Sequence, residues 1–270
     1  MVAFAANSLL CRLALGEELI DPASFASIRV ASGAFVLCGL MALRPSAGTR
    51  WRFDARAVGA LFGYMVFFSF AYLSLGAGTG ALILFGSVQI TMFAFALRAG
   101  EYFPTMSWMG LSIAIAGLVY LVSPGITAPN VVGSALMVVA GICWGVYSLR
   151  GREAADPLRA TAANFLFCVP LVAVVSAMYA GNFSVRFSGG MLAIASGAVA
   201  SGLGYAIWYA ALAGLTASRA ATVQLTVPVI AAIGGTVILS EELTLRLLVS
   251  SAATLGGVAL VLAQRAKRES

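Results

Sequence analysis

Residues 218–244 read SRAATVQLTVPVIAAIGGTVILSEELT, an almost entirely apolar run with a proline at position 228. The run is long enough to cross a bilayer as a helix, but a proline inside a helix removes one backbone N–H and frees a carbonyl oxygen. Hydrocarbon does not tolerate a free carbonyl unless protein or a water-filled cavity surrounds it. The sequence therefore predicts a membrane helix that faces the protein interior and is broken at Pro228, which we predict to be its hinge.

The rest of the chain has the same apolar character. Hydrophobic residues make up 61% of it and charged residues only 10%, and the mean hydropathy is +0.99. These values are typical of a polytopic membrane protein and exclude an ordinary soluble domain. The apolar runs are close to the ~20 residues that a helix needs to span hydrocarbon, and they lack the alternation of a barrel strand. We predict an all-α integral membrane protein with ten transmembrane helices, at residues 2–15, 24–43, 55–75, 79–97, 106–121, 131–149, 160–179, 191–212, 218–239 and 244–264.

The two halves of the chain resemble each other. The run quoted above ends on Glu241, and an apolar run one half-chain earlier ends in the same way on Glu101, 140 positions before it. Gly117 and Gly257 are related by the same offset. After a slip of five residues, an Asp-Pro pair also occurs in both halves, at 21–22 and 156–157.

These matches predict two five-helix repeats, residues 1–125 and 126–270. Because five is an odd number, the second repeat must lie inverted relative to the first. Inverted repeats around a central cavity are the architecture of alternating-access transporters. The first predicted helix is short beside its counterpart, so we expect the natural chain to begin further upstream.

The basic residues lie in alternate loops, on one side of the predicted bundle. By the positive-inside rule, this predicts that both termini are cytoplasmic. Because the basic residues are scattered between apolar runs rather than gathered on one face, we expect no nucleic-acid partner. The four cysteines lie inside apolar runs without the spacing of metal ligands, and the chain has no histidine. We therefore expect no metal, no cofactor and no catalytic residues.

The helix count, the inverted halves, the Pro228 helix followed by SEELT and the glycine-led last helix resemble the EamA-type branch of the drug/metabolite transporter superfamily. Within it, ANSLLCRLAL at the start and the aromatic-rich third and eighth helices look most like the YddG-type exporters of aromatic amino acids. The resemblance implies a bacterial inner-membrane protein whose cavity is lined by the third, fourth, eighth and ninth helices, with contributions from the first and sixth. This chain departs from the pattern at Val88, which stands opposite Pro228 where a proline is expected.

All ten acidic residues lie in loops or at predicted helix ends. Proton-driven pumps place a titratable acid or histidine in the membrane pathway, and this chain offers neither. We therefore predict uniport. The same absence argues against a multidrug pump for lipophilic cations, which needs a buried acid as a partner.

Arg29 is the basic residue that lies deepest within a predicted helix. Two interpretations compete: its long side chain lifts the charge to the membrane surface, or it binds a carboxylate of the substrate. We favour the first. A single arginine is also too little for phosphate esters, which call for a cluster of basic groups.

The candidate substrate-binding residues are neutral and polar or aromatic, and they suit a zwitterion with an apolar side chain. Tyr205, Trp208 and Tyr209 share one helical face, although an aromatic belt at the membrane surface explains them equally well. Buried amides also occur as interhelical hydrogen bonds without function. Phe67, Phe68 and Phe70 are left out as packing residues. The full set is Asn7, Tyr72, Gln89, Trp144, Tyr147, Asn164, Ser201, Tyr205, Trp208, Tyr209 and Gln224.

The function that these observations favour is export of aromatic and other neutral amino acids, or of similar amphipathic metabolites, by a monomer in the lipid bilayer. The alternative is efflux of drugs or other neutral metabolites. An intramembrane enzyme is less attractive, because the sequence has no HExxH helix, no buried acid pair and no histidine base.

Overall fold

The computed structural model describes residues 1–44, 51–152, 154–212 and 222–269, except for the side chains of 209, 212 and 265–269. Nearly all of the described chain is helical. The elements are α1 (Val2–Gly16), α2 (Pro22–Ala42), α3 (Ala55–Ala71), α4 (Ala77–Arg98), α5 (Thr105–Val122), α6 (Val131–Arg152), α7 (Pro157–Met178), α8 (Phe187–Ile194), a π-helical segment (Ala195–Leu203), α9 (Gly204–Leu212), α10 (Thr226–Leu239) and α11 (Leu245–Glu269).

Eight helical stretches in the described residues are long and apolar enough to cross a membrane. The α8 helix, the π-helical segment and α9 follow one another without interruption and supply one of these stretches, Phe187–Trp208. Two further apolar helices, Val2–Gly16 and Ala55–Ala71, are shorter. The protein is therefore a multi-pass helical membrane protein, as predicted.

The repeated Asp-Pro pair begins a helix in both halves of the chain. Asp21 is the N-cap of α2, and its Oδ1 accepts a hydrogen bond from the Ser24 N–H at 2.9 Å. Asp156 caps α7 in the same way and accepts from the Arg159 N–H at 3.1 Å. A proline follows each cap, where its missing N–H would have no helical partner in any case.

The α4 helix lies at the centre of the bundle. Buried residues make up 72% of its apolar stretch, a larger share than in any other spanning stretch of the described chain. It packs against α6 on one side and α10 on the other, while α3 packs on α6, α2 on α7 and α5 on α11. The candidate site is built around this central helix.

The π-helical segment packs closely against α2 through two glycines. A Cβ atom at Gly33 would lie 2.7 Å from the Phe165 ring and 3.1 Å from the Gly197 carbonyl oxygen. A Cβ at Gly197 would collide with the Arg29 carbonyl oxygen and the Ser32 hydroxyl. Glycine at both positions allows the two backbones to approach, as small residues do in membrane bundles.

The helix that contains Pro228 is interrupted shortly before the proline. Leu225 forms a turn, and α10 begins at Thr226, so that Pro228 lies buried in the first turn of the new helix. The Thr226 hydroxyl donates to the Val223 carbonyl at 2.7 Å across the interruption. The interruption lies beside the carbonyl of residue 224, which the missing N–H of Pro228 leaves without its helical partner, as expected for a helix broken by this proline. The start of the quoted run, 218–221, lies outside the described residues.

Candidate substrate site

A pocket lies in the middle of the bundle, between α1, α3, α4, α6 and α9. Its cavity volume is only about 10 Å³, far below the ~300–1,000 Å³ that is usual for small-molecule sites. Aromatic rings form most of its wall. The lining residues are Phe4, Asn7, Tyr64, Phe68, Leu84, Phe85, Trp144 and Tyr205.

The rings of the pocket contact one another around Trp144. Its ring centroid lies 4.8 Å from that of Tyr64, 5.3 Å from that of Tyr205 and 6.2 Å from that of Phe4. The Phe4 and Tyr205 rings meet edge to face at 5.7 Å, which completes the group. Offset and edge-to-face contacts of this kind leave ring faces available for an apolar or cationic part of a ligand.

A polar cluster lies beside the rings. Asn7 accepts hydrogen bonds through its Oδ1 atom from the hydroxyls of Ser196 at 2.7 Å and Ser201 at 3.3 Å. Both serines belong to the π-helical segment, which thus presents two hydroxyls to α1. Ser201 also accepts from the Arg29 Nε at 3.3 Å, so the cluster joins α1, α2 and the π-helical segment. π-helical turns inside α-helices frequently mark functional sites.

Arg29 is completely buried, with none of its surface exposed. Its Nη2 atom donates to the Tyr64 hydroxyl at 3.0 Å, and its Cζ atom lies 4.8 Å from the Phe68 ring centroid and 5.3 Å from that of Tyr64. The interpretation that Arg29 extends to the membrane surface was wrong. The side chain turns inward because two aromatic faces and two hydroxyls receive it there.

Several predicted residues meet at this pocket. Asn7, Trp144 and Tyr205 line it, and Ser201 is bonded to Asn7. The Tyr147 ring packs against Trp144 at 5.5 Å, and the half-buried Trp208 packs against Phe4 at 5.9 Å.

The other predicted residues do not line the pocket. Tyr72 is buried directly after the end of α3, where its ring contacts the Phe68 ring at a centroid distance of 4.8 Å. Gln89 and Asn164 are buried elsewhere in α4 and α7, and Gln224 is partly exposed in the helical residues that precede the turn at Leu225. The Tyr209 side chain lies outside the described residues.

Sequence reasoning missed five lining residues: Phe4, Tyr64, Phe68, Leu84 and Phe85. A usable signal existed for two of them. Tyr64 and Phe68 stand four residues apart on α3, with Tyr72 four residues further, which places all three rings on one face. An isolated phenylalanine such as Phe4 carries no comparable signal in an apolar helix.

One end of the bundle is closed by the Glu241 carboxylate, which follows α10. Both of its oxygens accept from the Ala77 N–H at the start of α4, at 2.8 and 3.0 Å, and the Arg12 Nε donates to it at 3.2 Å. A carboxylate at a helix N-terminus is stabilised by the helix dipole. These contacts tie α1, α4 and α10 together.

Two loops at the end of α1 and the start of α8 add to this closure. The Asp21 N–H donates to the Ser184 carbonyl, and the Arg186 N–H donates to the Leu19 carbonyl, both at 2.8 Å.

In the described part of the chain, no group of three or more His, Cys, Asp or Glu residues could hold a metal ion.

Comparison with known proteins identifies the family. The profile of the EamA-like transporter family matches residues 131–263. An uncharacterized protein of Pseudomonas aeruginosa is 46% identical over 268 residues, which cover 99% of this chain and 93% of that protein. An uncharacterized transporter of Archaeoglobus fulgidus is 27% identical, over 92% of this chain and 91% of its own.

A further relative has a stated activity: the threonine/homoserine exporter RhtA of Escherichia coli is 29% identical over 185 residues, 67% of this chain and 60% of its own. A solved crystal structure matches 97% of this chain and 96% of its own with a TM-score of 0.68 and 20% identity, which supports the fold alone. The family and the relatives whose names state a function are transporters rather than enzymes, in agreement with the resemblance seen in the sequence. The chain belongs to the EamA-like transporter family, within the drug/metabolite transporter superfamily.

Proposed function

We propose that this protein exports neutral amino acids, aromatic ones among them, across the bacterial inner membrane. The observation that carries the proposal is the pocket, in which six of the eight lining residues are aromatic and one, Asn7, is an amide. Such a surface suits a small molecule with an apolar side chain and a zwitterionic head. The similarity to a threonine/homoserine exporter supports amino acids as the class, and the aromatic wall supports an extension to aromatic side chains.

The proposal includes ten membrane crossings in two inverted units, residues 1–125 and 126–270. The contacts between helices support this arrangement. When two helices pack together, their counterparts in the other repeat also pack together. The α1–α10 contact corresponds to α6–α4, and α2 against the π-helical segment corresponds to α7 against α3.

The contact between α5 and α11 supports the same symmetry at the level of residues. A Cβ at Gly117 would lie 2.7 Å from the Thr254 hydroxyl, and one at Gly257 would lie 2.7 Å from the Ala114 nitrogen. Positions 254 and 257 are the counterparts of 114 and 117 at the offset found in the sequence. Each partner thus touches the other's equivalent residue, as expected for elements beside a two-fold axis.

The mechanism we propose is alternating access around the pocket, with both termini in the cytoplasm and the protein acting as a monomer. The closed end formed by Glu241 and Arg12 then faces the periplasm. Because the pocket is smaller than usual ligand sites, substrate entry requires helices to move apart. The interruption at Leu225 gives α10 a point about which to bend, and Pro228 fixes where the new helix begins.

Counterflow in proteoliposomes tests the proposal. Vesicles loaded with an unlabelled candidate should accumulate the same labelled compound transiently, and protein-free vesicles control for leakage. A panel of phenylalanine, tryptophan, threonine, homoserine, a lipophilic cation and a neutral sugar separates amino acid export from drug efflux. Exchange of the lipophilic cation without exchange of any amino acid would contradict the proposal.

A further inference from the structure

We propose that Arg29 binds the carboxylate of the transported molecule, so that the pocket selects substrates that carry a carboxylate and rejects analogues that lack one. The inference rests on the proposed function, because it names the chemical group by which that pocket recognises its amino acid.

The depth of Arg29 makes its burial energetically significant. It stands seven residues after the start of α2, or about 10 Å along the helix axis at 1.5 Å per residue. Its side chain is fully enclosed there. Removing a cation from water costs several kcal/mol in real proteins, and an anionic partner normally offsets that cost.

No such partner belongs to the described part of the protein. Among its acidic residues, none forms an ion pair with Arg29, and the hydrogen-bond partners of the guanidinium are the neutral hydroxyls of Tyr64 and Ser201. The Nη1 atom is buried and has no hydrogen-bond partner among the described residues. A guanidinium has five N–H donors in a planar fork, which matches a carboxylate in shape and charge.

Arg29 lies directly behind two residues that line the pocket. Tyr64 and Phe68 line the pocket on one side and contact the guanidinium on the other. Ser201 joins the Arg29 Nε to Asn7, a third lining residue. A substrate whose apolar side chain lies against the rings would therefore bring its carboxylate towards the unused donor.

The fold itself does not require arginine at this place. The α7 helix begins with the same Asp-Pro pair as α2, and its residue at the equivalent position, seven after the proline, is Asn164. A buried neutral amide is therefore compatible with the same kind of helix start. The charge at position 29 is thus better explained by a ligand than by packing.

The test compares amino acids with the corresponding amino alcohols, in which a CH2OH group replaces the carboxylate. Proteoliposomes carry wild-type protein, Arg29→Gln, Arg29→Lys or Arg56→Gln, the last removing an exposed arginine at the start of α3. The probes are phenylalanine against phenylalaninol and threonine against threoninol. We expect wild type to prefer the acids by about tenfold or more, as for a charge-assisted hydrogen bond. Arg29→Gln should abolish the preference, Arg29→Lys should keep part of it, and Arg56→Gln should keep all of it.

A preference that survives in Arg29→Gln would overturn the inference, as would wild-type vesicles that exchange acids and alcohols equally. Wild-type vesicles that exchange no amino acid would instead contradict the proposed function. If Arg29→Gln does not fold, thermal denaturation of detergent-solubilised wild type decides: phenylalanine should raise the melting temperature more than phenylalaninol does. Equal shifts would overturn the assignment.

Discussion

At the scale of single residues, Trp144 contacts four other aromatic rings in and beside the pocket. It touches Phe4, Tyr64, Tyr147 and Tyr205, with centroids between 4.8 and 6.2 Å apart. Aromatic pairs contribute about 0.5–1.5 kcal/mol beyond buried area. We predict that Trp144→Leu raises the half-saturation concentration for phenylalanine by about tenfold, which corresponds to the loss of ~1.4 kcal/mol of binding free energy. The half-saturation concentration for threonine should rise less. Concentration-dependent exchange in proteoliposomes measures both.

The matched control for this prediction is Trp108→Leu. Trp108 lies in α5 with 44% of its surface exposed, outside the pocket. It should leave both half-saturation values unchanged. If Trp144→Leu raised the half-saturation concentrations for phenylalanine and threonine equally, the substitution would have disrupted the pocket in general. That result would argue against stacking of the Trp144 ring on an aromatic substrate.

At the scale of the helices, Gly33 and Gly39 in α2 provide a matched pair. A Cβ at Gly33 would press on the Phe165 ring and the Gly197 carbonyl, whereas no atom of the described residues lies within 4 Å of a Cβ at Gly39. Overpacking typically costs about 1–3 kcal/mol. We predict that Gly33→Ala lowers the melting temperature of the solubilised protein and that Gly39→Ala does not. If both variants melt with the wild type, the approach of α2 to the π-helical segment is not a stability determinant.

The interruption before α10 leads to a prediction about motion. With Pro228→Ala, α10 can extend backwards through residue 225, because the residue at 228 regains its N–H. We expect the exchange rate to fall about tenfold, as for a barrier raised by 1.4 kcal/mol, without a fall in melting temperature. Pro170→Ala is the control, since Pro170 also lies in an apolar helix but is exposed. An unchanged rate in Pro228→Ala, measured beside this control, would refute the hinge.

At the scale of the whole molecule, the sequence predicted the family and the helical membrane class. Both depend on local properties: the length of apolar runs sets where a chain crosses a bilayer, and an Asp-Pro pair favours the start of a helix. The helix that carries Pro228 was also predicted to be interrupted, and the interruption lies next to residue 224, whose carbonyl loses its helical partner.

The composition of the pocket was less predictable. In a membrane bundle, apolar side chains cover both the lipid-facing and the interior faces, so the sequence alone does not reveal which face Phe4 or Phe68 occupies. The orientation of Arg29 depends on rings and hydroxyls from α3 and the π-helical segment, which are distant in sequence. The site emerges from tertiary packing, and its residues share no single local pattern.

The charge distribution of the molecule leads to the prediction about driving force. The chain has no histidine, and every acidic residue in the described ranges lies at the end of a helix or between helices: Glu17, Glu18, Asp21, Asp54, Glu101, Asp156, Glu241, Glu242 and Glu269. A proton-coupled cycle needs a group that takes up and releases a proton within the pathway. The pocket and its polar cluster contain hydroxyls, an amide and an arginine, and none of these is a usual proton carrier near neutral pH. We therefore expect substrate to equilibrate down its own concentration gradient.

The measurement is the rate and final extent of amino acid uptake into proteoliposomes, with and without an imposed pH gradient. A pH-sensitive dye inside the vesicles verifies that the gradient lasts through the assay. Rate and final level should be the same in both conditions, because no proton moves with the substrate. Net accumulation above the external concentration, driven by the pH gradient and abolished by a protonophore, would contradict uniport. Such a result would require a proton to be carried by the substrate itself or by an acid at a helix end. Glu241 would be one candidate acid, since it lies at the closed end of the bundle between Arg12 and the start of α4.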